Sequence, residues 1–149
     1  MPYPEHLIAS MRAELTRFGV EETRTPADVD RIIQSRGTVL MIVNSVCGCA
    51  AGRARPAVGM ALRHDVKPEK TATVFAGADE RAVDHLRGIL SDYPPSSPSM
   101  AIFQDGKPVF MVHRRDIEQR DPFQIAKILT DAFDRYCKPV AAPSLTPAQ

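Results

Sequence analysis

The chain has 149 residues, of which 44% are hydrophobic and 25% are charged, and its formal net charge is +1. This length suits one globular domain with a single core. A nearly neutral chain lacks the basic surface that nucleic acid or anionic lipid requires, and its apolar runs are too short to span a bilayer. The first residues lack the pattern of a secretory signal, so we expect a cytoplasmic protein without nucleic-acid or membrane partners.

The first part of the chain predicts two amphipathic helices before a long strand. The first helix is indicated by apolar residues at helical spacing, which are Leu7, Ile8, Met11, Leu15 and Phe18. Residues 21–24 suit a short edge strand. Thr25 and Pro26 predict the start of the second helix, with a capping hydroxyl before proline at the first helical position. Residues 38–43 are nearly all apolar, which predicts a strand buried on both faces.

Helices and strands alternate in the middle of the chain. Residues 50–62 are rich in small side chains and predict a helix. Pro56 should bend this helix, because proline removes one backbone hydrogen bond. Residues 71–76 predict the next strand, and Asp79 opens a further helix with a regular apolar face.

The last part of the chain predicts a hairpin, a helix and a tail. Asp105-Gly106 lies between two apolar runs, which is typical of a tight hairpin. A helix begins at Asp121, and residues 138–149 lack periodicity and are expected to form a loose tail. Strands that alternate with helices predict an α/β fold with a mixed parallel and antiparallel sheet, in one domain over residues 1–137.

Two cysteines lie one residue apart where the long strand ends. Cys47 and Cys49 flank Gly48, and the helix of residues 50–62 follows them. A helix N-terminus offers unpaired amides and a positive dipole end, which stabilise a thiolate and lower its pKa. We therefore predict that Cys47 attacks disulfides and that Cys49 is the resolving thiol. Gly48 would allow the unusual torsions of the small ring that a Cys47–Cys49 disulfide closes.

Two further features are candidates for contact with a substrate. Arg53 lies four residues after Cys49, on the same helical face, where its guanidinium could contact a thiolate or an anionic thiol; a solvent-exposed charge is the alternative. We expect Arg55 to point elsewhere and to be exposed. Pro98 directly precedes a strand, where a cis peptide bond can build a tight turn beside the nucleophile; an ordinary trans proline in a surface loop is the alternative.

Metal binding is the main alternative role for the cysteine pair. Two thiolates suit Cu(I) or half of a zinc site, but zinc needs four ligands and the histidines are scattered along the chain. An inert buried pair is a second alternative. Cys137 follows the last helix, and we expect no catalytic role for it. Because no cofactor motif is evident, we expect neither a cofactor nor a resident metal.

Four segments together resemble the signature of the bacilliredoxins. They are Asn44-Ser-Val-Cys47-Gly-Cys49-Ala-Ala-Gly, Thr73-Val-Phe-Ala-Gly77, Pro95-Ser-Ser-Pro98-Ser-Met-Ala101, and Ala132-Phe-Asp134 with the nearby Cys137. The resemblance runs from the first helix to Cys137. It implies a thioredoxin-like fold, here with an extra N-terminal helix, in a bacterial cytoplasm.

The resemblance also implies a function, which is removal of bacillithiol from S-bacillithiolated proteins together with weak disulfide isomerase activity. Cys47 would attack the mixed disulfide and take the thiol, Cys49 would resolve it, and Pro98 would be a cis-proline facing them. The expected partners are S-thiolated client proteins and bacillithiol or another low-molecular-weight thiol. A disulfide isomerase or oxidant, and a Cu(I) or zinc binding module, are the alternatives. The candidates for substrate binding are Gly48, Arg53, Ser97 and Pro98.

Overall fold

A mixed sheet of five strands runs through the part of the chain that the computed structural model describes, residues 2–138. The strands are β1 Glu21–Glu22, β2 Thr38–Asn44, β3 Lys70–Phe75, β4 Ser99–Gln104 and β5 Lys107–Val112. Their spatial order is β1-β3-β2-β4-β5. Both β1 and β2 pair with β3 in parallel, whereas β4 pairs antiparallel with β2 and β5. The predicted α/β class and mixed sheet are confirmed.

Helices cover both faces of this sheet. Those within residues 2–138 are α1 Glu5–Thr16, α2 Pro26–Ile33, a π-helical turn Ala50–Ala54, α3 Arg55–Ala61, α4 Glu80–Ile89, α5 Arg114–Glu118 and α6 Pro122–Tyr136. One core lies between the sheet and α1, α3, α5 and α6, and the other lies between the sheet and α2 and α4. Every residue of β2 is buried, as its apolar sequence predicts, because side chains of this central strand enter both cores.

The local signals for helix starts and for the hairpin are confirmed. The Thr25 hydroxyl accepts a hydrogen bond from the Asp28 amide at 3.1 Å, which caps α2. Asp121 caps α6 in the same way, through the Gln124 amide at 2.8 Å. Between β4 and β5, Asp105 and Gly106 both have positive φ, as a two-residue hairpin turn requires.

The buried face of α1 differs from the prediction. Its buried residues are Ile8, Arg12 and Leu15, whereas Leu7 is 57% exposed. Arg12 is buried because its guanidinium pairs with Asp79 at 2.8 Å, which supplies the opposite charge. A pattern of apolar residues alone does not detect a buried cation.

The short helix α5 was not predicted. It has five residues and one buried apolar side chain, that of Ile117, so it shows no apolar periodicity. Within residues 2–138, no helix combines the length and the hydropathy that a bilayer crossing demands. Apart from Lys138, the predicted tail over residues 138–149 falls outside the described part of the chain.

The strand register brings two loops together at one end of the sheet. Val43 near the end of β2 pairs with Ser99 at the start of β4. The residues that follow β2 and those that precede β4 therefore leave the sheet side by side. The first group contains Cys47, and the second contains the loop of residues 96–98, which ends in a cis peptide bond between Ser97 and Pro98. The predicted cis isomer is confirmed.

Candidate active site

The two neighbouring cysteines lie just beyond the carboxyl end of β2, as predicted. Cys47 stands at the start of a helical turn, where its carbonyl accepts hydrogen bonds from the Ala50 and Ala51 amides at 3.0 and 3.1 Å. Cys47 and Cys49 are free thiols and both are partly exposed. An external disulfide can therefore reach this pair.

The surroundings of Cys47 favour its thiolate. Partial burial opposes ionisation, but hydrogen bonds to the sulfur from the Ser45 hydroxyl and from the Ala50 and Cys49 amides, together with the positive charge of Arg114, lower the pKa of Cys47 below its usual value. The amides are those of the predicted helix start. The contributions of Ser45 and Arg114 were not predicted.

Ser45 is held in place by a short chain of hydrogen bonds. Its hydroxyl oxygen accepts from the Cys47 amide at 3.2 Å, which leaves the hydroxyl hydrogen available to the Cys47 sulfur. Its own amide donates to Asn44 Oδ1 at 2.8 Å. The residue between the strand and the cysteine turn is thus bonded on both sides.

The prediction that Arg55 is exposed is wrong. This residue is only 2% exposed, and its Nη1 donates to the Ser45 carbonyl at 2.8 Å and to Asn44 Oδ1 at 2.9 Å. Its Nε donates to the Glu14 carboxylate at 2.8 Å, so the buried charge is paired. The regular α-helical spacing used for the prediction does not hold here, because the π-helical turn Ala50–Ala54 rotates the residues that follow it.

Arg114, the first residue of α5, connects the cysteines with the loop before β4. Its Nη1 donates to the Ser97 carbonyl at 3.1 Å, and its amide donates to the Ser96 hydroxyl at 3.2 Å. The pKa of Arg114 is raised first by its hydrogen bond to Glu118 and then by the charges of Cys47 and Cys49. Nothing local in the sequence marks this residue, since α5 itself has no periodic signal.

Arg53 and Gly48 are two of the predicted substrate-binding residues. Arg53 Nε donates to the Arg120 carbonyl at 3.0 Å, between α5 and α6. Its contact with a bound thiol stays a prediction, and the arginine that acts on Cys47 is Arg114. Gly48 has no positive φ, and a Cβ there would meet no atom within 4 Å. The thiol form of the protein therefore does not require glycine at this position.

A third cysteine and the possible metal ligands lie apart from the pair. Cys137 hydrogen-bonds to Thr38, the first residue of β2, so it lies at the other end of the strand from Cys47. Burial raises the pKa of the Cys137 thiol. Among residues 2–138, no group of three or more His, Cys, Asp or Glu side chains is close enough to share a metal ion. The pair thus has no described partners that would complete a zinc site.

The chain shares its fold with thioredoxins. It is similar to a putative oxidoreductase with a thioredoxin fold (TM-score 0.59, 14% identity, covering 74% of this chain and 95% of that one). It is also similar to a thioredoxin from Malassezia sympodialis (TM-score 0.57, 12% identity, covering 78% and 90%). The predicted thioredoxin-like fold is confirmed. Two accessible thiols lie at one end of the sheet of this thioredoxin fold, and the family match described next assigns the chain to the thiol oxidoreductases.

Sequence comparison gives the family. The family model described as Disulphide isomerase matches residues 3–137. A bacilliredoxin of Koribacter versatilis is 51% identical over 136 residues, which cover 91% of this chain and 94% of the relative. A bacilliredoxin of Geobacillus kaustophilus is 44% identical over 139 residues, covering 93% and 96%. The chain belongs to the bacilliredoxin family.

Proposed function

We propose that the protein removes bacillithiol, or a similar low-molecular-weight thiol, from mixed disulfides on client proteins, with Cys47 as nucleophile. The observation that carries this proposal is the environment of Cys47. Its thiol is accessible and, despite partial burial, has a pKa lowered by Ser45, by two amides and by Arg114. The names of the curated relatives support the same substrate class. The reducing bacterial cytoplasm is the setting that we propose for this reaction.

In the first step, the Cys47 thiolate attacks the sulfur of the small thiol in the mixed disulfide. A bond forms between these two sulfurs, and the bond to the client sulfur breaks. The client sulfur leaves as a thiolate and takes a proton from water. Arg114 contributes by stabilising the negative charge on Cys47 before the attack.

In the second step, Cys49 loses its proton to water and attacks Sγ of Cys47. The small thiol leaves as a thiolate, and a disulfide joins Cys47 and Cys49. Over both steps the client disulfide gains two electrons and the two cysteines of the protein lose two. A thiol reductant of the cell, either a dithiol protein or two small thiols, must return these electrons.

The loop before β4 is proposed to border the bound substrate. Arg114 holds the Ser97 carbonyl at 3.1 Å, and so it fixes this loop beside the cysteine turn. The reaction needs no cofactor. In this proposal the substrate lies among Gly48, Arg53, Ser97 and Pro98.

Disulfide isomerisation is the second candidate function. The description of the matching family model, Disulphide isomerase, favours it. The same thiolate would attack a wrongly paired client disulfide, and the client's own thiol would displace Cys47 before Cys49 reacts. A zinc module is a weaker proposal, because the described residues supply no third ligand beside the pair. A Cu(I) module needs only the two thiolates, and no contact of the pair within residues 2–138 favours it over disulfide exchange.

The test uses Cys49→Ser protein, in which an attacked substrate cannot be resolved by the second thiol. This variant is mixed with an S-bacillithiolated peptide, and its mass is measured under non-reducing conditions. We expect one small thiol bound per protein, on Cys47, and release of the peptide with a free thiol. The control is Cys137→Ser protein, which should clear the peptide as fast as the unchanged protein.

The two redox functions are distinguished by their substrates. If Cys47→Ser protein still frees the peptide, the proposed nucleophile is wrong. If the unchanged protein repairs a scrambled disulfide protein but leaves the S-bacillithiolated peptide intact, isomerisation is the function. Stoichiometric metal in reduced, purified protein would favour the binding module.

A further inference from the structure

A small cavity lies behind the loop that precedes β4. Its volume is about 130 Å³, close to the ~150 Å³ of an engineered cavity that holds benzene. It therefore has room for one small chemical group. Most of its lining residues are apolar: Val43, Leu90, Tyr93, Pro94, Pro95 and Met111.

One side chain that lines the cavity, an arginine, has no hydrogen-bond or ion-pair partner among residues 2–138. Arg87 of α4 lines it, and the buried Nε of this residue has no hydrogen-bond acceptor among residues 2–138. None of the ion pairs within those residues involves Arg87 either. The buried Arg12 and Arg55, in contrast, each bind a carboxylate of this chain. Nε itself has almost no accessible surface, so an acceptor that enters the cavity would bind the outer nitrogens of this partly exposed guanidinium.

The cavity and the thiols share one loop. Ser96 lines the cavity, and its hydroxyl accepts the amide of Arg114, whose charge acts on Cys47. Val43 and Ser99, which also line the cavity, are paired across β2 and β4 at the strand ends beside the cysteine turn. The cavity and the cysteine turn therefore border the same loop and the same strand ends.

We propose that this cavity is a subsite for a carboxylate on the substrate whose disulfide Cys47 attacks. The guanidinium of Arg87 binds the carboxylate, because Arg and carboxylate match in charge and in hydrogen-bond geometry. The carboxylate belongs either to the low-molecular-weight thiol or to an acidic side chain beside the client cysteine. The inference rests on the proposed function in one respect, that Cys47 reacts with the substrate disulfide.

The first experiment measures exchange rates on Cys47 in Cys49→Ser protein. One arm compares the disulfides of mercaptopropionate, which carries a carboxylate, and mercaptoethanol, which is neutral. The other arm compares two activated cysteine peptides, with glutamate or glutamine beside the cysteine. Arg87→Gln should lower the ratio of the charged to the neutral rate by about threefold to tenfold in the arm whose carboxylate enters the cavity.

The control is Arg81→Gln, which removes an exposed arginine from the same helix outside the cavity. It changes the net charge equally, so it corrects for long-range attraction. The neutral rates should stay the same in both variants. If Arg87→Gln alters neither ratio, or alters them only as much as Arg81→Gln does, the proposal is overturned.

The second experiment does not depend on disulfide chemistry. Methylthiopropionate, a carboxylate that cannot exchange its sulfur, is titrated into isotope-labelled protein while the Arg87 Nε–H resonance is followed by NMR. A saturable shift of that resonance, absent with the methyl ester of the probe, supports the subsite. No shift overturns it. A protein that binds the probe but reacts with no disulfide would keep the subsite and refute the proposed function.

Discussion

The guanidinium of Arg55 donates a hydrogen bond to the backbone carbonyl of Ser45 at 2.8 Å, directly before the turn that carries Cys47. The same nitrogen binds Asn44 Oδ1, and that oxygen also accepts the Ser45 amide. The buried cation therefore binds the Ser45 carbonyl directly, and it also binds the Asn44 oxygen that accepts the Ser45 amide. Since the Ser45 hydroxyl bonds to Cys47, we infer that Arg55 is a positioning residue that acts on the thiol through Ser45.

Replacement of this arginine should affect both stability and the thiol. Arg55→Met removes the donor from Glu14 and from the Ser45 carbonyl, and one of the two donors to Asn44 Oδ1, so we expect a loss of about 3 kcal/mol in the free energy of unfolding. The pKa of Cys47 should rise, because Ser45 is no longer held in place. Urea denaturation measures the first effect, and the ultraviolet absorbance of the thiolate against pH measures the second.

Arg53→Met is the matched control, since Arg53 is two residues away and only partly buried. It should change neither quantity by a comparable amount. Arg55→Lys keeps a charge and should restore part of the thiol effect. An unchanged pKa of Cys47 in a folded Arg55→Met protein would show that Arg55 is only structural.

Arg114 should influence Cys47 through charge. Arg114→Gln removes a positive charge that lowers the pKa of Cys47, so the pKa should rise and the rate of alkylation at neutral pH should fall by about twofold to fivefold. The alkylation rate of the variant should also depend less on salt, because salt can no longer screen the attraction between Arg114 and the Cys47 thiolate. Iodoacetamide kinetics at two ionic strengths provide the measurement.

The neighbouring Arg115 is also exposed, and Arg115→Gln is the control for net charge. Equal effects of the two variants would mean that Arg114 has no special position. The stability of both proteins should remain within about 0.5 kcal/mol of the unchanged protein, as is usual at the surface.

Gly48 should matter to the oxidised form and not to the thiol form. A Cβ at this position meets no atom within 4 Å, so Gly48→Ala should fold normally and should gain up to about 1 kcal/mol in a helical turn. Closing the small ring between Cys47 and Cys49 should become harder, because alanine has fewer accessible torsions. We expect a longer-lived adduct on Cys47, followed by mass spectrometry after a pulse of mixed disulfide. Equal adduct lifetimes in both proteins would contradict this role.

The ionisation of Cys47 and that of Cys137 should change the free energy of unfolding in opposite directions as pH rises. The folded-state pKa of Cys47 is lowered, so its ionised form stabilises the folded protein above the ordinary thiol pKa of about 8.5, and this contribution is lost as pH falls through the lowered pKa. Burial raises the pKa of Cys137, so its contribution is present below the ordinary pKa and is lost as pH rises through the raised one.

These two opposite pH dependences are tested by urea denaturation of the unchanged protein, Cys47→Ser and Cys137→Ser over a range of pH. The advantage of the unchanged protein over Cys47→Ser should grow with pH, and its advantage over Cys137→Ser should shrink. Two curves with the same slope would refute the opposite shifts.

The sequence alone determined the elements whose causes are local. An unbroken apolar run specified the buried strand β2, and capping residues specified the starts of α2 and α6. The placement of Cys47 between a strand and a helix was equally local, and it was enough to predict a thiolate bound by amides. Each of these features depends on residues within a few positions of one another, so spacing reveals them.

Only the tertiary structure decided which charges surround that thiol. Arg55 is buried because the π-helical turn before it turns its side chain toward the end of β2, where it binds the Ser45 carbonyl. Arg114 lies near the cysteines because α5 packs beside the loop before β4. Arg87 faces a cavity for the same kind of reason. The environment of a charged side chain is set by segments distant along the chain, whose relative placement follows from the packing of two cores and not from any short pattern.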